Sequence, residues 1–190
     1  MKFETTEIGD VVLITPKKIG DGRGYFMETY KRSILEEKIG PLDFVQDNQS
    51  LSVEAGTVRG LHFQTDPMAQ GKLVRCVAGA LLDVAVDLRL GSPTYGHHVA
   101  VELSAENGRQ LWVPPGFAHG FCTTMPNTEI SYKVTNYYSA EHDRGLLWND
   151  PAIGIKWPVD LAAVVLSEKD RNQPSLAEVN TTFKYEHAAK

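Results

Sequence analysis

Apolar and polar positions alternate with a period of two over much of this 190-residue chain, and the alternating runs are broken by turn signals at roughly eight- to twelve-residue intervals. That rhythm belongs to short strands of a sandwich or barrel, and helical periodicity is scarce. The first predicted strand is Val11 to Thr15, closed by Pro16. A glycine-rich loop from Gly20 to Gly24 then leads into a strand from Tyr25 to Tyr30. Ser33 to Ile39 reads as a short helix, capped by Ser33 and stopped by Gly40-Pro41. From Phe44 to Ser52 the chain is extended again, and its polar run Gln46-Asp47-Asn48-Gln49 fits either a solvated edge or a ligand-facing wall.

Thr57 to Gln64 is β-prone, yet it carries Arg59 and His62 on either side of Gly60. Gly71 to Val77 and Leu81 to Arg89 read as two strands joined around Ala78-Gly79-Ala80. In the second, Leu82, Val84, Val86 and Leu88 form an apolar face, and Asp83 and Asp87 on the other are expected to meet solvent or pair locally. His97 to Ser104 and Arg109 to Pro114 are predicted to pair as a hairpin across Ala105-Glu106-Asn107-Gly108, because Asn-Gly is a strong hairpin turn. Pro114-Pro115-Gly116 turns the chain into a second β-prone histidine segment, Ala118-His119-Gly120-Phe121. Glu129 to Asn136 follows, with Ile130, Tyr132 and Val134 on the inward face. Asp160 to Lys169 reads as a helix or short turns. No repeat or linker divides the sequence, so residues 1–190 are expected to form a single domain, with a less defined tail after about residue 178.

Composition narrows the function. A formal net charge of −5 and the lack of any Lys/Arg run argue against nucleic acid as a partner. No run approaches the ~18 apolar residues of a membrane span, and Met1 to Asp10 lacks the apolar centre of a signal peptide, so a cytoplasmic protein is expected. Cys76 and Cys122 each sit in an apolar β-type run and are expected to be reduced core thiols.

A glycine within a strand marks a bulge or a close backbone approach, and here it separates a cation from a proton-transfer group. Arg59 and His62 have opposite parity on a regular strand, so both reach one ligand only if Gly60 bends the chain. His62 and Tyr132 are candidates for proton transfer; Arg23, Arg59, Lys72 and His119 are candidates for binding an anion. Together they suit a carbon acid. Removing a proton beside a ketone needs a base and a positive or hydrogen-bonding group at the oxygen where charge develops; returning it to the opposite face needs a second acid. Asp170 is a candidate to orient His62, as a carboxylate does in serine proteases. A metal centre is the rival. His62 is followed two residues on by Gln64, so no His-x-His pair exists, and His97-His98 would point to opposite faces.

Gly22-Arg23-Gly24-Tyr25-Phe26, Gln46-Asp47-Asn48, Val58-Arg59-Gly60-Leu61-His62-Phe63-Gln64, Gly71-Lys72-Leu73-Val74-Arg75, Val113 to Phe121, Tyr132-Lys133-Val134-Thr135 and Ser167-Glu168-Lys169-Asp170, in this order, closely resemble the dTDP-4-dehydrorhamnose 3,5-epimerase family. The resemblance runs from about residue 10 to 175. It implies an all-β, cupin-type double-stranded β-helix with a few short helices, a homodimer, and inversion of C3 and C5 of a dTDP-linked 4-keto-6-deoxy sugar without metal or organic cofactor. It also implies that His62 is the base with Asp170 as its partner, Tyr132 the acid on the other face, and Lys72 the group that stabilises the enolate at C4. Arg23, Glu28, Gln46, Asn48, Arg59, His119, Tyr138, Asp143 and Lys169 would bind substrate, with Arg23 and Arg59 suited to the diphosphate; Asp143 stands where many members have glutamate. The alternatives are an epimerase of one carbon only, or of another nucleotide-linked 4-keto sugar, and, from other classes, a metal-dependent cupin enzyme or a non-catalytic binder.

Overall fold

The computed structural model describes residues 1–185. Its elements follow in the order β1 (Lys2–Thr5), β2 (Val12–Thr15), β3 (Lys18–Asp21), β4 (Gly24–Met27), α1 (Arg32–Ile39), β5 (Gln46–Ser52), β6 (Val58–Gln64) and β7 (Lys72–Ala78), then β8 (Ala80–Asp87), β9 (His98–Ser104), β10 (Gln110–Val113), β11 (Phe117–Thr123), β12 (Thr128–Val134), β13 (Asp143–Gly145) and α2 (Glu168–Arg171). Six strands form one sheet in the order β1-β2-β10-β7-β12-β5, and five form another in the order β13-β6-β11-β8-β9, with antiparallel pairing throughout. The two sheets face each other across an apolar interior that includes Val74, Leu111 and Ile130 from one and Leu81, Ala85, Leu103 and Phe121 from the other. This is the expected all-β, cupin-type architecture.

Each sheet has a second core on its outer face. Leu35 of α1 packs with Ile14, Leu42, Leu73 and Trp112 outside the six-stranded sheet. Outside the five-stranded sheet, Val58, Leu61, Val84, Val86 and Ala118 are covered by Leu146, Trp148, Ile153, Trp157 and Phe183 from the loop-rich C-terminal third. That covering corrects the expectation for β8. Its apolar face, Val84, Val86 and the following Leu88, turns outward onto the C-terminal segment. Asp83 and Asp87 belong to the opposite face and are fully buried. Neither faces solvent; Asp87 does pair locally, with Arg89, Ser92 and Thr94, whereas Asp83 pairs with the distant His119. A charge on a strand can face inward when a partner removes the penalty of burying it alone.

The predicted hairpin between residues 97 and 114 does not form. β9 pairs with β8 in one sheet, and β10 pairs with β2 and β7 in the other, so the turn at Asn107-Gly108 carries the chain across the barrel's edge from sheet to sheet. An Asn-Gly step supplies positive-φ backbone to any tight corner, and Gly108 has φ +63°. Other boundaries move less. Residues Lys2–Thr5 add a strand that the charged N-terminus obscures, and β2 is thereby flanked by β1 and β10, so Val11 to Thr15 is not a free edge for a second chain. The strand expected from Tyr25 to Tyr30 ends at Met27 and is half of a hairpin with β3. α1 starts at Arg32 with Lys31 at its N-cap, not Ser33, while Gly40 with φ +89° ends it as expected. Between Asp160 and Lys169 the chain makes turns before α2. The tail expected to be less defined is packed through residue 185: Phe183 is buried, Thr181 Oγ1 donates to the Leu88 carbonyl, and Lys184 bridges to Leu90. Residues 186–190 lie outside the described residues. Cys76 and Cys122 are buried and free, as expected.

Candidate active site

The strand that carries His62 is distorted at Gly60. His62 lies opposite His119 on β11 and Arg59 lies opposite Phe121, so three residue steps on β6 meet two on β11 and the register shifts between them. This is the bulge the opposite parity of Arg59 and His62 requires. Both side chains then open into one cavity of about 490 Å³ between the sheets. Lys72 of β7, His119 of β11, Tyr132 of β12, and Lys169 and Asp170 of α2 line the same cavity.

His62 and Asp170, 108 positions apart, meet at 2.5 Å between Nε2 and Oδ1. α2 delivers the carboxylate: Ser167 caps it, its Oγ accepting from the Asp170 N–H at 3.1 Å, and the Gly60 N–H donates to Asp170 Oδ2 at 3.3 Å. Burial pushes the Asp170 carboxyl up, but the hydrogen bond and charge of His62 and the Gly60 N–H outweigh it and hold the group below the usual carboxylate range. An ionised Asp170 accepts a hydrogen bond from Nε2–H and leaves Nδ1 as the basic nitrogen of the imidazole.

Tyr132 faces this pair from the other sheet. Its hydroxyl makes no hydrogen bond to the described residues, and burial, partly offset by Arg59, raises its pKa, so it is a neutral phenol able to donate. Lys72 is buried, with Nζ 3.3 Å from the His62 carbonyl oxygen. Burial lowers its pKa to about 8 against the attraction of Asp83 and Asp143, which leaves a cation that a developing anion would strengthen. His119 is held at 2.8 Å from Nε2 to Asp83 Oδ1, and the other Asp83 oxygen is buried with no hydrogen-bond partner among the described residues.

A second, polar cavity of about 280 Å³ adjoins the first and shares His62, Lys72, Tyr132 and Lys169 with it. Gln46 and Asn48 of β5, Gln70, Tyr138 and Asp143 complete it. The polar run in β5 divides between two faces: Gln46 and Asn48 line the cavity, and the exposed Asp47 pairs with Lys133 at 2.9 Å. Asp143 joins the Tyr138 hydroxyl, at 3.3 Å, to Lys169 Nζ. Arg59 is tied to Ser52 Oγ and the Leu51 carbonyl, each at 3.0 Å.

Thus every residue expected at the site lines one of the two cavities except Arg23 and Glu28. Those two are exposed, on or just after the β3–β4 hairpin, and Arg23 pairs with Asp21 at 2.6 Å. Sequence reasoning missed Ser50, whose period-two relation to Gln46 and Asn48 was an available signal. It also missed Ser167 as the cap of α2, Asp83 as the partner of His119, and Gln64 and Gln70 as cavity residues. Among the described residues, no three His, Cys, Asp or Glu side chains are grouped to hold a metal ion. The arrangement can remove a proton from a carbon acid on one wall, stabilise the enolate with a cation, and donate a proton from the other wall.

The model of the dTDP-4-dehydrorhamnose 3,5-epimerase family matches residues 5–178. The chain is similar to the dTDP-4-dehydrorhamnose 3,5-epimerase of Sinorhizobium fredii, with 60% identity over 97% of this chain and 94% of that one. It is also similar to that of Shigella flexneri, at 54% identity over 90% and 94%. Among solved structures, it resembles the dTDP-6-deoxy-D-glucose-3,5-epimerase of Legionella pneumophila in complex with dTDP-4-keto-L-rhamnose, with a TM-score of 0.93 and 42% identity over 98% of this chain and 99% of that one.

Proposed function

Since this chain belongs to the dTDP-4-dehydrorhamnose 3,5-epimerase family, we propose that it inverts C3 and C5 of dTDP-4-dehydro-6-deoxy-D-glucose, giving dTDP-4-dehydro-L-rhamnose on the route to dTDP-rhamnose. The observation that supports the reading most directly is the His62–Asp170 pair facing Tyr132 across a cavity that also holds Lys72. The C4 ketone acidifies the hydrogens on C3 and C5. His62 Nδ1 takes one of them, the C–H electron pair moves into the ring, and the carbonyl π pair moves to the C4 oxygen, where the Lys72 ammonium stabilises it. Tyr132 then donates its proton to the opposite face of the same carbon as the ketone reforms. The proton on His62 leaves to solvent and Tyr132 regains one, and the cycle repeats at the second carbon.

Arg59 binds the diphosphate, and Gln46, Asn48, His119, Tyr138, Asp143 and Lys169 bind the rest of the nucleotide sugar. Arg23 and Glu28 serve the cavity of a second copy in a homodimer. Support for that assembly comes from the β3–β4 hairpin, whose Ile19, Tyr25 and Phe26 are 58, 58 and 69% exposed, a larger apolar display than a free surface hairpin favours. The chain acts as one domain in the cytoplasm, consistent with two free thiols and with no helix of the described residues long and apolar enough to cross a membrane. Incubation with the substrate in deuterated water, followed by NMR, tests the reading. Deuterium at both C3 and C5 is expected; label at one carbon assigns a mono-epimerase, and no label at either overturns the reaction.

A further inference from the structure

Gln64 closes the strand motif that contains His62, and the chemistry above gives it no task. Its side chain is nonetheless buried, at 4% exposure, and its amide is engaged at both ends. Nε2 donates to the Met68 carbonyl at 2.6 Å and to the Tyr137 carbonyl at 3.0 Å, and Oε1 accepts from the Ser139 N–H at 2.8 Å. Two of these three bonds grip the backbone on either side of Tyr138. That residue lies in the connection between β12, which ends at Val134, and β13, which starts at Asp143. Among the described residues no strand pairing fixes the connection at Tyr138. Besides Gln64, the Gln46 side chain holds it by accepting from the Tyr138 N–H at 3.1 Å, and the Tyr138 hydroxyl reaches Asp143.

We infer that Gln64 is a positioning residue that acts on the substrate through Tyr138, holding the 137–139 backbone so that the Tyr138 ring stands at the mouth of the polar cavity. The inference rests on the reading that Tyr138 contacts the nucleotide sugar. Tyr138 is 60% exposed and cannot be held in place by burial of its own ring. A buried amide with both donors and its oxygen engaged fixes a backbone strongly, because each bond lost would strand a buried donor or acceptor. Without the amide the connection samples other conformations. Apparent affinity falls by the fraction of molecules still in the competent one, while the bound complex, and hence turnover, is little changed. The position two residues after the base strand's histidine is therefore spent on holding a substrate-binding segment.

Steady-state kinetics with dTDP-4-dehydro-6-deoxyglucose on four proteins tests this: wild type, Gln64→Met, Tyr138→Ala and the double variant. Gln64→Met keeps the side chain's length and removes all three bonds. It should raise KM about tenfold, the effect of a tenfold drop in competent fraction, with kcat within about threefold of wild type. In the Tyr138→Ala background the same change should leave KM where Tyr138→Ala alone puts it. Should Gln64→Met fail to fold, Gln64→Glu, which keeps the acceptor for Ser139 and loses both donors, replaces it in the cycle. A wild-type KM for the Gln64 variant, or KM increases that multiply in the double variant, would overturn the inference. A wild-type KM for Tyr138→Ala would instead overturn the contact between Tyr138 and substrate, and the inference with it.

Discussion

Gly60 of β6 and Gly120 of β11 approach so closely that a Cβ on Gly60 would lie 2.7 Å from the Gly120 Cα and 2.8 Å from the His119 carbonyl oxygen. The φ of Gly60, +114°, is one that L side chains rarely adopt. This contact sits where the register of β6 and β11 shifts, and the shift is what aims Arg59 and His62 into one cavity. Gly60→Ala should therefore lose stability, by about 1–3 kcal/mol from backbone strain and a similar amount from the overpacked contact. Urea unfolding measures it, and wild-type stability with wild-type activity would mean that the bulge tolerates a side chain.

In the proposed reaction His62 is the base and Asp170, 2.5 Å away, only orients it. His62→Asn should lower kcat by about 10²–10⁴-fold with the fold intact, since a general base typically contributes that much. Asp170→Asn should be milder, because it removes an orienting carboxylate and leaves the imidazole. The reverse ranking, an inert Asp170→Asn beside an active His62→Asn, would make Asp170 the base.

The strands of this molecule are legible in its sequence because period-two alternation is a local property, and most predicted segments reappear within a few residues. What faces them is not local. The apolar face of β8 turns outward because residues from Leu146 to Phe183 cover it, and nothing between Leu81 and Arg89 records that. The Asn107-Gly108 step likewise announces a tight turn without saying whether the two strands it joins stay in one sheet. At the site, the need for a bulge at Gly60 follows from parity alone, within one strand. The pairing of His62 with Asp170 crosses 108 positions, so no spacing fixes it, and it is reached by chemical analogy and the family resemblance; the pairing of His119 with Asp83 is a link of the same kind that was missed.

The buried Lys72 sets a pH limit. Its burial favours the neutral amine and brings its pKa to about 8, and in the proposed reaction the ammonium is the form that stabilises the enolate. kcat/KM, which reports groups of the free enzyme, should therefore fall as pH rises through about 8. A profile that stays flat well above that pH would remove Lys72 from this role or show that its cation is not needed.

Assembly is tested by sedimentation at micromolar concentration. A species of about twice the 21.0 kDa chain mass is expected. Phe26→Asp should shift it toward monomer and, if the proposed assembly brings Arg23 and Glu28 to the partner's cavity, lower activity as well. A wild-type protein that sediments as a monomer would contradict the homodimer.

In the proposed reaction protons leave one face of the sugar through His62 and return to the other through Tyr132, a division of labour that Tyr132→Phe, studied in deuterated water, should break. The substitution keeps the ring that packs against the interior and removes only the donor. NMR should show solvent deuterium entering C3 and C5 through His62 while the label returns mostly to the face it left, so that exchange continues and inverted product is scarce. Inversion of both carbons by Tyr132→Phe at the wild-type rate would contradict the account and reduce Tyr132 to a residue of the core.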